Sequence, residues 1–165
     1  MPVDVVPESL GDQAWRVILR TQAWTHFSAS PSLAWRRVRF SRPNQRRIPK
    51  RSGLYAFITR PRNKQLPRLG YVMYVGQTGA KSGRTLYDRF GDYLQWMKGE
   101  KRPLVRAMFG QLSGALEFHF ATVGPSEIGN LANIETKLLD TLIPPCNDTG
   151  FSAEIAHAVK VIWRR

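Results

Sequence analysis

Residues 53–76 read GLYAFITRPRNKQLPRLGYVMYVG, and this stretch decides the fold. Its ends, GLYAFIT (53–59) and YVMYVG (71–76), are rich in aromatic and β-branched residues and read as strands. Between them TRPRNKQLPRLG holds two prolines, an asparagine and a glycine, which suits a long basic hairpin loop joining antiparallel neighbours.

Downstream the period changes. Leu86, Phe90, Tyr93, Leu94 and Met97 form one stripe, predicting a helix over 84–98. A second helix is expected over 103–112, with Pro103 in its first turn, where the missing N–H is harmless. Leu116, Phe118, Phe120 and Thr122 alternate with Glu117, His119, Ala121 and Val123, a strand pattern. Ser126 is placed to cap a helix carried by Ile128, Leu131, Leu138, Leu139 and Leu142, which Pro144 and Pro145 end. Upstream, Leu10, Ala14, Ile18 and Leu19, with Trp15, predict a short amphipathic helix within 8–20. Pro31, Pro43 and Pro49 leave loops around at most one short strand near Trp35–Phe40. The expected class is α+β: a small, mainly antiparallel three-stranded sheet flanked by helices, with a basic N-terminal extension. The division follows as 1–50 (extension), 51–149 (catalytic-type domain) and 150–165 (a C-terminal segment packed on the domain).

The chain has 165 residues, 42% of them hydrophobic, which is enough for one core and excludes disordered and fibrous classes. No apolar run approaches the roughly 18 residues of a membrane span, so no membrane partner is expected. The early acids Asp4, Glu8 and Asp12 do not resemble a secretory signal, and the single Cys146 allows no internal disulfide. A cytoplasmic setting is the expectation. The net charge of +13 is unevenly spread: residues 13–87 contain no acid but include Arg36, Arg37, Arg39, Arg42, Arg46, Arg47, Lys50 and Arg51, with Trp35 and Phe40 interleaved. Such a block is either a solvated face or a polyanion grip, and its prolines make a poor membrane helix.

Glu135 falls on the apolar stripe of its own helix, four residues after Leu131 and three before Leu138. A carboxylate there needs either an arginine partner or a divalent cation. Arg89 and Tyr93, four apart, share one helix face; Arg89 is either a rim residue covering apolar surface or a fork for a phosphate. Tyr55 and Tyr74, on neighbouring strands beside Gly53 and Gly76, are each explicable as packing. His26, His119 and His157 have no metal-ligand spacing, and no phosphate-cradling glycine motif is present, which argues against a nucleotide-driven motor.

In this order the positions resemble the GIY-YIG nuclease family over about residues 52–149. The first tripeptide stands as Gly53-Leu54-Tyr55 and the second as Tyr74-Val75-Gly76; Arg89, Glu135 and Asn147 follow as the helix arginine, the later glutamate and the closing asparagine. Tyr93 matches an aromatic that members related to the bacterial excision-repair incision subunit carry one turn after the arginine. Leu54 and Val75 replace isoleucines, the spacer is longer than the family hairpin, and Gln77 stands where several members have lysine, leaving Lys81 or Arg84 as substitutes from the loop.

The resemblance implies metal-dependent hydrolysis of phosphodiester bonds in DNA. Glu135 would hold Mg²⁺ or Mn²⁺, Arg89 would neutralise charge on the phosphoryl oxygens, and Tyr74 would position or deprotonate the attacking water with hydrogen-bond support from Tyr55. Asn147 would orient the phosphate or the other side chains. Gly76, Gln77, Lys81, Arg84 and Tyr93 would contact substrate close by, and Arg42, Arg46 and Arg47 the DNA backbone, duplex or single-stranded. A homodimer is the arrangement expected of an enzyme cutting both strands. A catalytically inactive DNA-binding module and an RNA-directed basic protein are the alternatives.

Overall fold

The computed structural model describes residues 14–79, 81–97, 99 and 101–162. In chain order the strands are β1 (Arg36–Arg39), β2 (Gly53–Thr59), β3 (Tyr71–Thr78) and β4 (Leu116–Thr122). The helices are α1 (Thr21–His26), α2 (Leu86–Trp96), α3 (Pro103–Gln111), α4 (Leu131–Leu142) and α5 (Ala153–Ile162), with 3-10 segments at Arg42–Arg47 and Pro125–Asn130. The strands form one antiparallel sheet in the order β1-β4-β2-β3.

The sheet has four strands, not the expected three, and the added member is Arg36–Arg39, where at most one short strand was expected. Arg36–Arg39 pairs with β4 over Phe120–Glu117. Only Val38 of the four points into the core, so arginines suit the other positions of an edge strand. The helix expected over 8–20 is not formed by residues 14–20, which are without regular structure; the remainder lies outside the described residues. As irregular chain, this segment still brings Trp15 against the core, so its apolar residues are served without a helix. Ser126 sits inside the Pro125–Asn130 3-10 turn rather than capping α4, which starts at Leu131.

Each face of the sheet buries its own cluster. On one, Val38, Tyr55, Phe57, Phe118 and Phe120 pack against Leu86, Phe90 and Tyr93 of α2 and Val105, Met108 and Phe109 of α3. Edge-on aromatic contacts fill this layer, with Phe57 perpendicular to Tyr93 at 5.0 Å and Phe90 to Phe118 at 5.0 Å. On the other face, Leu54, Ala56 and Val75 meet Leu131, Ile134, Leu138 and Leu139 of α4, with Phe27 and Leu33 alongside. No helix among the described residues is long and apolar enough to cross a membrane.

Candidate active site

Tyr55 stands opposite Gly76 and Phe57 opposite Tyr74, which puts both tyrosines on the α2 face of the sheet. Glycine suits position 76 because Tyr55 lies over it: a Cβ there would overlap the Tyr55 phenol. The Tyr55 ring stacks on Phe118 at 5.3 Å, so the ring serves the core while the hydroxyl reaches Tyr93.

A reciprocal capping box starts α2, with Thr85 Oγ1 accepting from the Asp88 amide at 3.2 Å and Asp88 Oδ2 from the Thr85 amide at 2.9 Å. That start sets the phase of the helix, which carries Arg89, Tyr93 and Trp96 along one flank. With Tyr55, Tyr74, Gly76 and Gln77 from the sheet and Arg102 from the start of α3, they line a cavity of about 370 Å³ at the β3 edge. Glu135 closes it from α4, reaching round that edge from the opposite layer.

The phenols are connected through an arginine. Tyr55 and Tyr93 hydroxyls are 3.0 Å apart, and Arg102 donates to Tyr74 at 2.8 Å and to Tyr93 at 3.4 Å. Burial holds the Tyr55 phenol well above its ordinary range, and the neighbouring tyrosines add to this. Burial also raises Tyr74, with Arg102 pulling the other way. Both are therefore neutral phenols at physiological pH, suited to donating hydrogen bonds rather than accepting a proton.

Burial pushes the Glu135 carboxyl up to about 7, opposed by a hydrogen bond from the Gln77 backbone amide. No described arginine or lysine pairs with it. Two polar atoms in the cavity, Arg89 Nε and Gln77 Oε1, are buried with no hydrogen-bond partner among the described residues. Asp92 tethers Arg89 loosely, with Nη1 3.9 Å from Oδ2. A desolvated carboxylate without a cation and an arginine edge without an acceptor are the complement of a cation and an anion respectively. Among the described residues no group of three or more His, Cys, Asp or Glu gathers at one point. The donor set fits a hard divalent ion held by Glu135 alone, completed by water and phosphate oxygens, the usual habit of Mg²⁺.

The remaining sequence candidates lie elsewhere. Asn147 is buried and spends its amide on Val75, accepting from its N–H at 2.9 Å and donating to its carbonyl at 2.9 Å. It thus fixes the strand between Tyr74 and Gly76 instead of facing the cavity. Arg84 is engaged with Asp92, its Nε donating at 3.2 Å, and Lys81 is exposed in the loop. The cation beside Tyr74 is Arg102. Arg42, Arg46 and Arg47 are exposed on the 3-10 segment, which meets the other flank of α2 through Gln45 Nε2 and the Tyr87 carbonyl at 3.4 Å.

Sequence reasoning missed Trp96 and Arg102. Helical spacing could have found the first, three residues after Tyr93; the only local signal for the second is its position before Pro103, at the N-cap of α3. No family model, curated protein or solved structure matches the chain.

Proposed function

We propose that the chain is a metal-dependent endonuclease of the GIY-YIG type that hydrolyses phosphodiester bonds in DNA. The observation that carries the reading is the convergence of Tyr55, Tyr74, Arg89 and Glu135, drawn from two strands and two helices, on one cavity of about 370 Å³. The motifs that suggest the family are ordered along the sequence, and nothing in that order obliges the four side chains to meet. Their meeting is independent support.

In this reading the Arg89 guanidinium, which lines the cavity, offsets the charge that builds on a phosphoryl oxygen in the transition state. Tyr74 and Tyr55, as neutral phenols, hold the attacking water and the phosphate by hydrogen bonds. Glu135 holds Mg²⁺ or Mn²⁺; when bound, the cation supplies Lewis-acid charge at the phosphoryl oxygen and makes water a better nucleophile. Asn147 keeps the second tripeptide in place through Val75. The exposed arginines of β1 and of the Arg42–Arg47 segment grip the backbone, consistent with a net charge of +13.

The test is incubation of the protein with supercoiled plasmid, short duplex and labelled single-stranded DNA in Mg²⁺, Mn²⁺ or EDTA, beside Glu135→Ala. Metal-dependent cutting that the variant lacks is expected. Cutting that is equal in the variant sinks the metal-ligand assignment, and salt-sensitive binding without cutting by the wild-type protein replaces the enzyme with a binding module.

A further inference from the structure

We infer that Arg102 is a positioning residue that sets the direction of the phenolic hydrogen bonds, turning the hydroxyls of Tyr74 and Tyr55 into donors aimed at the cavity. The inference rests on the nuclease reading for its kinetic consequence but not for the arrangement itself.

A guanidinium has N–H donors and no acceptor, so every phenol it touches must offer an oxygen lone pair. Arg102 makes two such contacts, Nη1 to Tyr74 at 2.8 Å and Nη2 to Tyr93 at 3.4 Å. Tyr74 then keeps its own proton, for the neighbouring Tyr93 oxygen or for a ligand in the cavity. The Tyr93 and Tyr55 hydroxyls are 3.0 Å apart and either can donate; with Tyr93 accepting from Arg102 and giving its own proton to Tyr55, the Tyr55 proton is left for the cavity that both tyrosines line. Each donation strengthens the next, because a phenol that accepts from a cation becomes a better donor.

The guanidinium is well held for this task. It lies 5.3 Å from the ring centre of Tyr74 and 5.8 Å from that of Tyr93, within the range of cation–π attraction. Its backbone is set by the start of α3: Pro103 occupies the first turn, and the Arg106 amide donates to the Arg102 carbonyl at 3.0 Å. One planar fork spanning two phenols is a task that lysine, a single point of charge, cannot reproduce.

Two measurements on Arg102→Met, Arg102→Lys and Tyr93→Phe test the inference. The first needs no catalysis: carbon-13 NMR of metal-free protein labelled at tyrosine Cζ, where the chain has five tyrosines. Arg102→Met is expected to move the signals of Tyr55, Tyr74 and Tyr93 while Tyr71 and Tyr87 stay. Arg102→Lys should return Tyr74 towards its wild-type position but not Tyr55, and Tyr93→Phe should move Tyr55. Unmoved Tyr74 and Tyr93 signals in Arg102→Met overturn the proposal; if that variant does not fold, the other two decide by the same criteria.

The second measurement is kinetic. Arg102→Met should lower kcat about 100-fold with KM within about threefold, and Arg102→Lys about tenfold. A raised KM with unchanged kcat would make Arg102 a substrate contact and overturn the positioning role. Absence of cleavage by wild-type protein on every substrate would sink the nuclease reading instead, leaving the NMR result to decide Arg102.

Discussion

On one flank of α2, Tyr87 and Gly91 meet the 3-10 segment carrying Arg42, Arg46 and Arg47; on the other, Arg89, Tyr93 and Trp96 line the cavity. Both flanks combine arginine with aromatic rings. On the first the arginines are exposed, and Lys50 lies over Tyr87 at 5.2 Å with its charge in solvent. On the second the phenols bond one another, and Arg89 Nε is buried with no acceptor among the described residues. Charge in water gives affinity that salt screens, whereas charge shielded from water gives directed chemistry. In the proposed reading the exposed arginines bind and the buried groups do the chemistry, a division set by burial rather than by residue type.

The sharpest way to break this division is to truncate the buried side. Glu135→Ala and Arg89→Ala should each lower cleavage by about 10³-fold or more while circular dichroism and DNA affinity stay near wild type, as judged by plasmid cutting and gel shift. Retained cutting in either would remove that residue from the chemistry.

Charge reversal at Arg42, Arg46 and Arg47 tests the other flank. DNA binding should weaken by about 10- to 100-fold, and the slope of log Kd against log salt should fall by about 2 to 3. Saturating substrate should restore the wild-type kcat. A collapse of kcat with unchanged Kd would place this segment in the active site and erase the distinction.

Acidity probes the buried flank without mutation. With the Glu135 carboxyl pushed up to about 7, a proton competes with the cation below that pH. At subsaturating Mg²⁺, cleavage should drop towards tenfold per unit from pH 7 to 5.5, and added Mg²⁺ should recover it. A flat profile would count against a carboxylate that must ionise.

The smallest effect concerns stability. Because the folded-state pKa of Glu135 is raised, the metal-free fold binds this proton more tightly than the unfolded chain does. Its stability is therefore greatest below the ordinary carboxylate range and falls as pH rises to about 7, above which the penalty is constant. Glu135→Gln should then unfold later than wild type at pH 8 in the absence of metal, by about 2 kcal/mol, and show no gain at pH 4. Equal denaturant midpoints at both values would mean that the carboxyl is hydrated in the native state.

The central sheet and its helices were legible because their patterns are local. The alternation in 116–122, the β-branched content of 53–59 and the stripe Leu86, Phe90 and Tyr93 each reflect burial on one face. β1 was harder, since three of its four residues are arginine and its pairing with β4 spans a long sequence separation. The four elements that carry Tyr55, Tyr74, Arg89 and Glu135 were legible from their patterns, but the meeting of the side chains was not. Arg102 was not legible, because it sits in a charged stretch, KGEKRP, that reads as a solvated turn, and its partners come from β3 and α2. The role of Asn147 was hidden for a related reason: a side-chain amide that bonds a distant backbone leaves no periodic trace.

The outer edge of β3 bears on how copies of this chain could associate. Met73 accepts from the Cys146 amide at 2.9 Å, Val75 gives both its backbone groups to Asn147, and the Gln77 amide is taken by Glu135. From Met73 to Gln77 that strand has little left to offer an incoming chain. The opposite edge, β1, presents arginines that repel their like. Extension of the sheet from one molecule into the next is thus disfavoured at both edges.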